Sequence, residues 1–160
     1  NLAPDYLSIE VGEYDPILVD LLEEALGAVH AEDSSLRARL LARLSLAIQC
    51  SDNPLRQSRM TQDALTLARE SQDDGAIGAA LSARAEYLRG PASAEDRVAV
   101  LDELSNLKNP NTNILDQLVD KTRLISALLE IGDHVRLDAE NELSRSLASS
   151  TGLPQFMWYP

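Results

Sequence analysis

The sequence predicts an all-α fold: a right-handed α-solenoid of antiparallel helix pairs, about seven helices in all, with a period of about 39–40 residues. Three observations predict it. Apolar residues recur at helical spacing along most of the chain, and no segment alternates apolar and polar residues for long enough to make a strand. Proline, glycine and capping residues punctuate the chain at short intervals. One short pattern also returns at nearly constant distance. Glu24-Ala25-Leu26 is followed by Asp63-Ala64-Leu65, Glu103-Leu104-Ser105 and Glu142-Leu143-Ser144, successive offsets of 39, 40 and 39. Each copy is expected on the second helix of a pair, with the acidic residue facing out and the small or aliphatic residue facing in. A single helix of such a pair cannot bury its apolar face, so neighbours stack and share one continuous core. A four-helix bundle is the competing arrangement.

The elements follow in order. Residues 1–13 lack a clear period and contain Pro4 and Gly12, which reads as a linker or the remnant of a preceding repeat. Asp15-Pro16 supplies a cap and a proline at the first helical position. Ile17, Leu18, Leu21, Leu22, Ala25, Leu26 and Val29 then carry a first helix to about His30. A second starts near Ser34, with Leu36, Leu40, Leu41, Leu44 and Ile48 on one face. Asn53-Pro54 repeats the cap-plus-proline start, and a fourth helix begins near Gly75. Gly90-Pro91 ends it. Ser93 with Asp96 resembles a capping box for the fifth. The sixth is predicted from Asn113 to Ile131, where Gly132 stops it. Asp133 caps the seventh, which ends near Ser150. The repeat domain thus spans 14–152. Residues 153–160, with Phe156, Trp158 and Tyr159 among the chain's six aromatic residues, read as the start of a truncated following helix.

Composition narrows the function. Of 160 residues, 44 % are hydrophobic and 25 % charged, ordinary for a folded domain. Lys and Arg number 14 against 26 Asp and Glu, a net charge of -12. Such a balance opposes binding to nucleic acid and to anionic membranes, both of which require neutralising cations. No apolar run approaches a membrane span, and no signal peptide is visible. One cysteine, Cys50, excludes an internal disulfide and argues for a reducing, cytoplasmic setting, with the thiol as a small hydrophobe.

Catalytic constellations are absent from the sequence. His30 and His134 are far apart at helix ends, and His30 suits a helix C-terminus. The seven glycines are scattered, without a phosphate loop, and no nucleophile elbow occurs. Asp116 and Asp120 lack the glycine and ligand series of a calcium loop. Adjacent acids such as Glu23-Glu24 and Asp73-Asp74 suit a solvated surface. No catalytic residue, cofactor site or metal site is expected.

The candidate binding residues are Arg39, Arg43, Gln49, Arg84, Glu86 and Arg89. Arg37, Arg39 and Arg43 cluster on the first helix of one pair, and Arg84 and Arg89 lie on the first helix of the next. If first helices line a concave face, these arginines form a basic strip suited to an acidic peptide or partner domain. Ordinary pairing with Asp and Glu of neighbouring helices is the alternative.

The period and the Ala and Leu placement resemble tetratricopeptide-type repeats, slightly longer than their usual length of about 34 residues. Three stretches are similar to the helical-repeat region of large bacterial signalling ATPases, LuxR-type transcriptional regulators and ATPase-linked adenylate cyclases. They are Leu21-Leu22-Glu23-Glu24-Ala25-Leu26, Leu36-Arg37-Ala38-Arg39-Leu40-Leu41-Ala42-Arg43-Leu44 and Asp63-Ala64-Leu65-Thr66-Leu67-Ala68-Arg69. The final Gln155–Pro160 looks like the start of that region's next helix. The resemblance implies a non-catalytic scaffold, a sensor or relay segment that binds a protein, a peptide or another domain of its parent. An anionic effector held in the groove is the second reading. Exposed terminal repeats, with Leu153, Phe156, Met157 and Trp158, would also allow a homodimer.

Overall fold

Local chemistry sets where the helices begin. The computed structural model describes residues 14–49, 53–107 and 113–151. They form α1 (Pro16–Ala28), α2 (Ser34–Ala47), α3 (Pro54–Ser71), α4 (Asp74–Tyr87), α5 (Ala94–Ser105), α6 (Ile114–Ile131) and α7 (His134–Thr151). A 3-10 turn, Pro91–Ser93, precedes α5, and no strand occurs among the described residues. The expected linker at 1–13, the expected following helix at 153–160 and Cys50 lie outside the described residues.

Side chains cap nearly every start. Asp15 accepts from the Ile17 and Leu18 amides, Asp33 from Leu36, Asn53 from Arg56 and Asp73 from Gly75 and Ala76. Asn113 accepts from Leu115 and Asp133 from Arg136. Each cap is worth about 1 kcal/mol. Ser93 departs from expectation: it stands at the cap position of α5, but its side chain makes no cap hydrogen bond. The preceding 3-10 turn, closed by the Ser93 amide on the Gly90 carbonyl, brings the chain into α5 instead. From α2 onward the helices start at positions 34, 54, 74, 94, 114 and 134, an even spacing of twenty.

Helices pack in chain order, each on the next. Consecutive helices run antiparallel where side chains meet at matched distances from a turn. Arg84 of α4 reaches Thr61 of α3, each about three helical turns from the Gln72-Asp73 connection. Lys121 of α6 pairs with Glu140 of α7 across the next such connection. That one is as short: Gly132, at φ 76°, ends α6 and Asp133 starts α7. Gln72 holds the corresponding left-handed position after α3, at φ 54°, without glycine's freedom.

Three sets of buried residues hold the helices. Val19, Leu44 and Ile48 join α1 to α2. Between α2, α3 and α4 the core is alanine: Ala38, Ala42, Ala64, Ala68, Ala76, Ala80 and Ala83. Beyond α4 it is larger, with Ala85, Val98, Leu101, Leu124, Ala127 and Leu128. Bare methyls let helix axes approach closely. Accordingly α2 packs on α4 as well as on α3, the one pair of helices two apart in extensive contact among the described residues.

Polar side chains add a second kind of joint. Arg37 donates to the Leu26 and Val29 carbonyls at 3.4 and 3.3 Å, closing the end of α1. Gln57 donates to the Ser45 carbonyl of α2 at 3.0 Å, and Arg97 to the Leu88 carbonyl after α4 at 3.3 Å. Each donor is the fourth residue of its helix and binds the end of the helix before it. The positive charge at the end of α1 therefore comes from Arg37, where the sequence pointed to His30. Arg97 is nearly fully buried. Its Nη2 lies 2.7 Å from Glu130 Oε1 of α6, an ionic contact without hydrogen-bond alignment, and its Nε meets no acceptor among the described residues.

The recurring acid-plus-small pattern is only partly an inward-facing one. Ala64 is fully buried, but Leu143 on α7 is 56 % exposed, because no described helix covers that side of α7.

Candidate functional site

The six residues expected on a binding face fall into three situations. Arg39, on α2, places Nη2 at 2.9 and 3.2 Å from the carboxylate of Asp73, the cap of α4. Ser35 also donates to Asp73 at 2.5 Å. The Ser35 hydroxyl and then the Arg39 guanidinium hold the Asp73 carboxyl well below the usual carboxylate range. Arg84 donates to Thr61 at 3.1 Å and lies 5.0 Å from the centre of the Tyr87 ring, in cation–π contact. Glu86 and Arg89 pair with each other at 2.7 Å, and Glu86 also faces Arg123 of α6 at 3.4 Å. Arg43 and Gln49 are exposed, and neither side chain has a partner among the described residues. The structure thus brings Glu86 and Arg89 together and commits Arg39 and Arg89, but not Arg43 or Arg84, to neighbouring acids.

The pairing has a regular register that motif reading missed. Besides Glu86 with Arg123, four arginine–acid pairs link helices two apart: Glu23 with Arg56, Arg39 with Asp73, Arg69 with Glu103, and Asp102 with Arg136. Their partners stand 33, 34, 34 and 34 residues apart. All are exposed enough for each to contribute only about 0–1 kcal/mol. Glu23 and Asp73, taken from sequence as solvated acids, are members of this set.

The concavity of interest lies elsewhere. Where α2 and α4 close on each other, α4 and α6 stand apart. Between them is an open cleft of about 260 Å³, lined by Gly78 of α4, Leu104, Ser105 and Leu107 at the end of α5, and Gln117, Asp120 and Lys121 of α6. Gly78 leaves room over the leucines: a Cβ there would meet Leu107 and Leu104 methyls at 3.7 and 3.8 Å, ordinary contact. Arg123 spans the gap between the helices, donating at 2.7 Å to the Ser82 hydroxyl of α4.

The cleft's ionic groups are unequal. Asp120 accepts from Arg123 at 3.1 Å through Oδ1, and no donor among the described residues reaches Oδ2. Burial raises its pKa above the ordinary aspartate value, against the opposing pull of Arg123, and nearby Asp116 adds to the rise. Lys121 is neutralised by Glu140. The chemistry on offer is therefore a partly desolvated carboxylate beside an apolar leucine floor. Among the described residues no three His, Cys, Asp or Glu side chains come close enough to hold a metal ion, and no helix is long and apolar enough to cross a membrane.

Comparison of the chain with protein-family models, curated proteins and solved structures gives no match. Neither the cleft nor the regular ion-pair register could be read from a motif. The available signals were Gly78 inside an apolar helix and the change from alanine to leucine after α4.

Proposed function

We propose that the chain is a non-catalytic protein-interaction scaffold, a solenoid of tetratricopeptide-like helix pairs serving as a sensor or relay segment in a larger bacterial signalling ATPase or LuxR-type regulator. One observation carries the scaffold reading: six successive helices start at equal intervals and pack in file, each on the next. Repetition of one short unit makes an extended face rather than an enclosed pocket. Ion pairs in a constant register support the same reading, since they tie α1 to α3, α2 to α4, α3 to α5 and α5 to α7. The choice of parent rests on the resemblance of residues 21–26, 36–44 and 63–69 alone.

The anionic-effector alternative draws less support, because Arg39, Arg84 and Arg89 already have partners. Two experiments test the scaffold. Solution scattering should give a radius of gyration clearly above the roughly 15 Å of a compact chain this long. Calorimetric titration with the separately produced remaining domains of a parent protein should show saturable binding. A helical protein that binds none of them would refute the proposal.

A further inference from the structure

We infer that the cleft between α4 and α6 is a docking site for a peptide segment carrying one basic side chain next to one apolar side chain. This rests on the scaffold reading and names the chemistry of its partner. It reverses the polarity expected from the sequence, in which an arginine strip would take an acidic partner.

Size comes first. The cleft's volume of about 260 Å³ falls below the roughly 300–1,000 Å³ usual for small-molecule and cofactor sites, and it is open to solvent. That volume suits two side chains of a segment whose backbone lies along the opening. Polarity comes second. Leu104 and Leu107, packed against the bare backbone of Gly78, make an apolar floor on which an aliphatic residue can rest.

Charge decides the second side chain. The ionic groups around the cleft are Asp116, Asp120, Lys121 and Arg123 on α6, Glu86 on α4 and Glu140 on α7. Only Asp120 and Lys121 line the cleft itself, and Glu86 is held by Arg89 as well as by Arg123. Lys121 is held by Glu140, while Arg123 is divided among Asp120, Glu86 and Ser82. The acid with spare capacity is Asp120, whose Oδ2 lacks a donor among the described residues and borders the apolar floor. A lysine or arginine there completes a charge-assisted hydrogen bond in a partly desolvated place. The chain's net charge of -12 draws the same kind of partner from a distance.

The experiment is selection of phage-displayed random dodecapeptides on the whole chain, followed by fluorescence anisotropy with the enriched peptides. The expected peptides pair Lys or Arg with a neighbouring Leu, Ile, Met or Phe. Gly78→Leu, which fills the cleft, and Asp120→Asn, which removes its charge, should each weaken binding at least tenfold. Arg145→Ala, on the exposed face of α7, should leave it unchanged. Circular dichroism confirms that each variant is folded, and if Gly78→Leu is not, Asp120→Asn carries the test alone. Enrichment of acidic peptides, or of peptides indifferent to both cleft variants, overturns the cleft assignment and leaves the scaffold reading standing. If no peptide binds even at millimolar concentration, both fall.

Discussion

The two halves of the molecule solve the same packing problem with different side chains. From α2 to α4 the interface is built of alanine, and α2 reaches past α3 to touch α4. From α4 to α6 the interface is built of leucine and valine around Ala85 and Ala127, and α4 stands off from α6. Small side chains close a groove; large ones hold it open. The difference teaches that a repeated helix spacing does not dictate a repeated surface. The residue volume between the helices decides whether a unit presents a sealed seam or a cleft.

Changes of volume test this contrast most strongly. Leu128→Ala, fully buried in the leucine core, should destabilise by about 3 kcal/mol in urea denaturation. Ala80→Leu, fully buried in the alanine seam, should cost about 2 kcal/mol by overpacking and push α2 from α4. If the seam absorbed the larger side chain without loss, the idea of a sealed half would fail. Two residues back along the same helix, on another face, the sign should invert: Gly78→Ala, facing the cleft, should stabilise by about 0.5–1 kcal/mol.

Acidity separates the halves as well. In the sealed half, the lowered Asp73 pKa means that its contribution is present above the unfolded value and is lost as pH falls through the folded one. In the open half, the raised Asp120 pKa has the opposite consequence. Stability falls as pH rises from the ordinary aspartate value through the folded one, and the loss is complete above it. Asp120→Asn should therefore raise Tm by about 1–2 °C at pH 7, a gain that vanishes near pH 4. A loss of Tm at pH 7 would mean that the Arg123 pair outweighs desolvation. A comparably small effect is expected at Gln72→Gly, about 0.5 kcal/mol of stabilisation from relieving a left-handed backbone.

Much of the secondary structure was legible in the sequence because it depends on neighbours in the chain. Asp15, Asn53, Asn113 and Asp133 announce their helices, since a cap needs only the next three amides. Ser93 failed as a cap because a 3-10 turn, invisible in the spacing, precedes it. The candidate site was far less legible. Arg39 meets Asp73 only because α2 and α4 approach, and that approach depends on methyl groups spread over three helices. Leu143 looked like a core residue because its inward direction was borrowed from Ala64, whose surroundings include a helix on each side. The cleft depends on the absence of such an approach, which no spacing of residues spells out.

The clamps made by Arg37, Gln57 and Arg97 have a bearing on how the chain is made. Each side chain binds backbone that precedes it by 8 to 12 residues, so its acceptor has already left the ribosome when the donor emerges. A nascent chain can fasten α2, α3 and α5 each to the helix just completed, without waiting for a distant segment. Contacts this local favour rapid folding, in order of synthesis from the N-terminus onward.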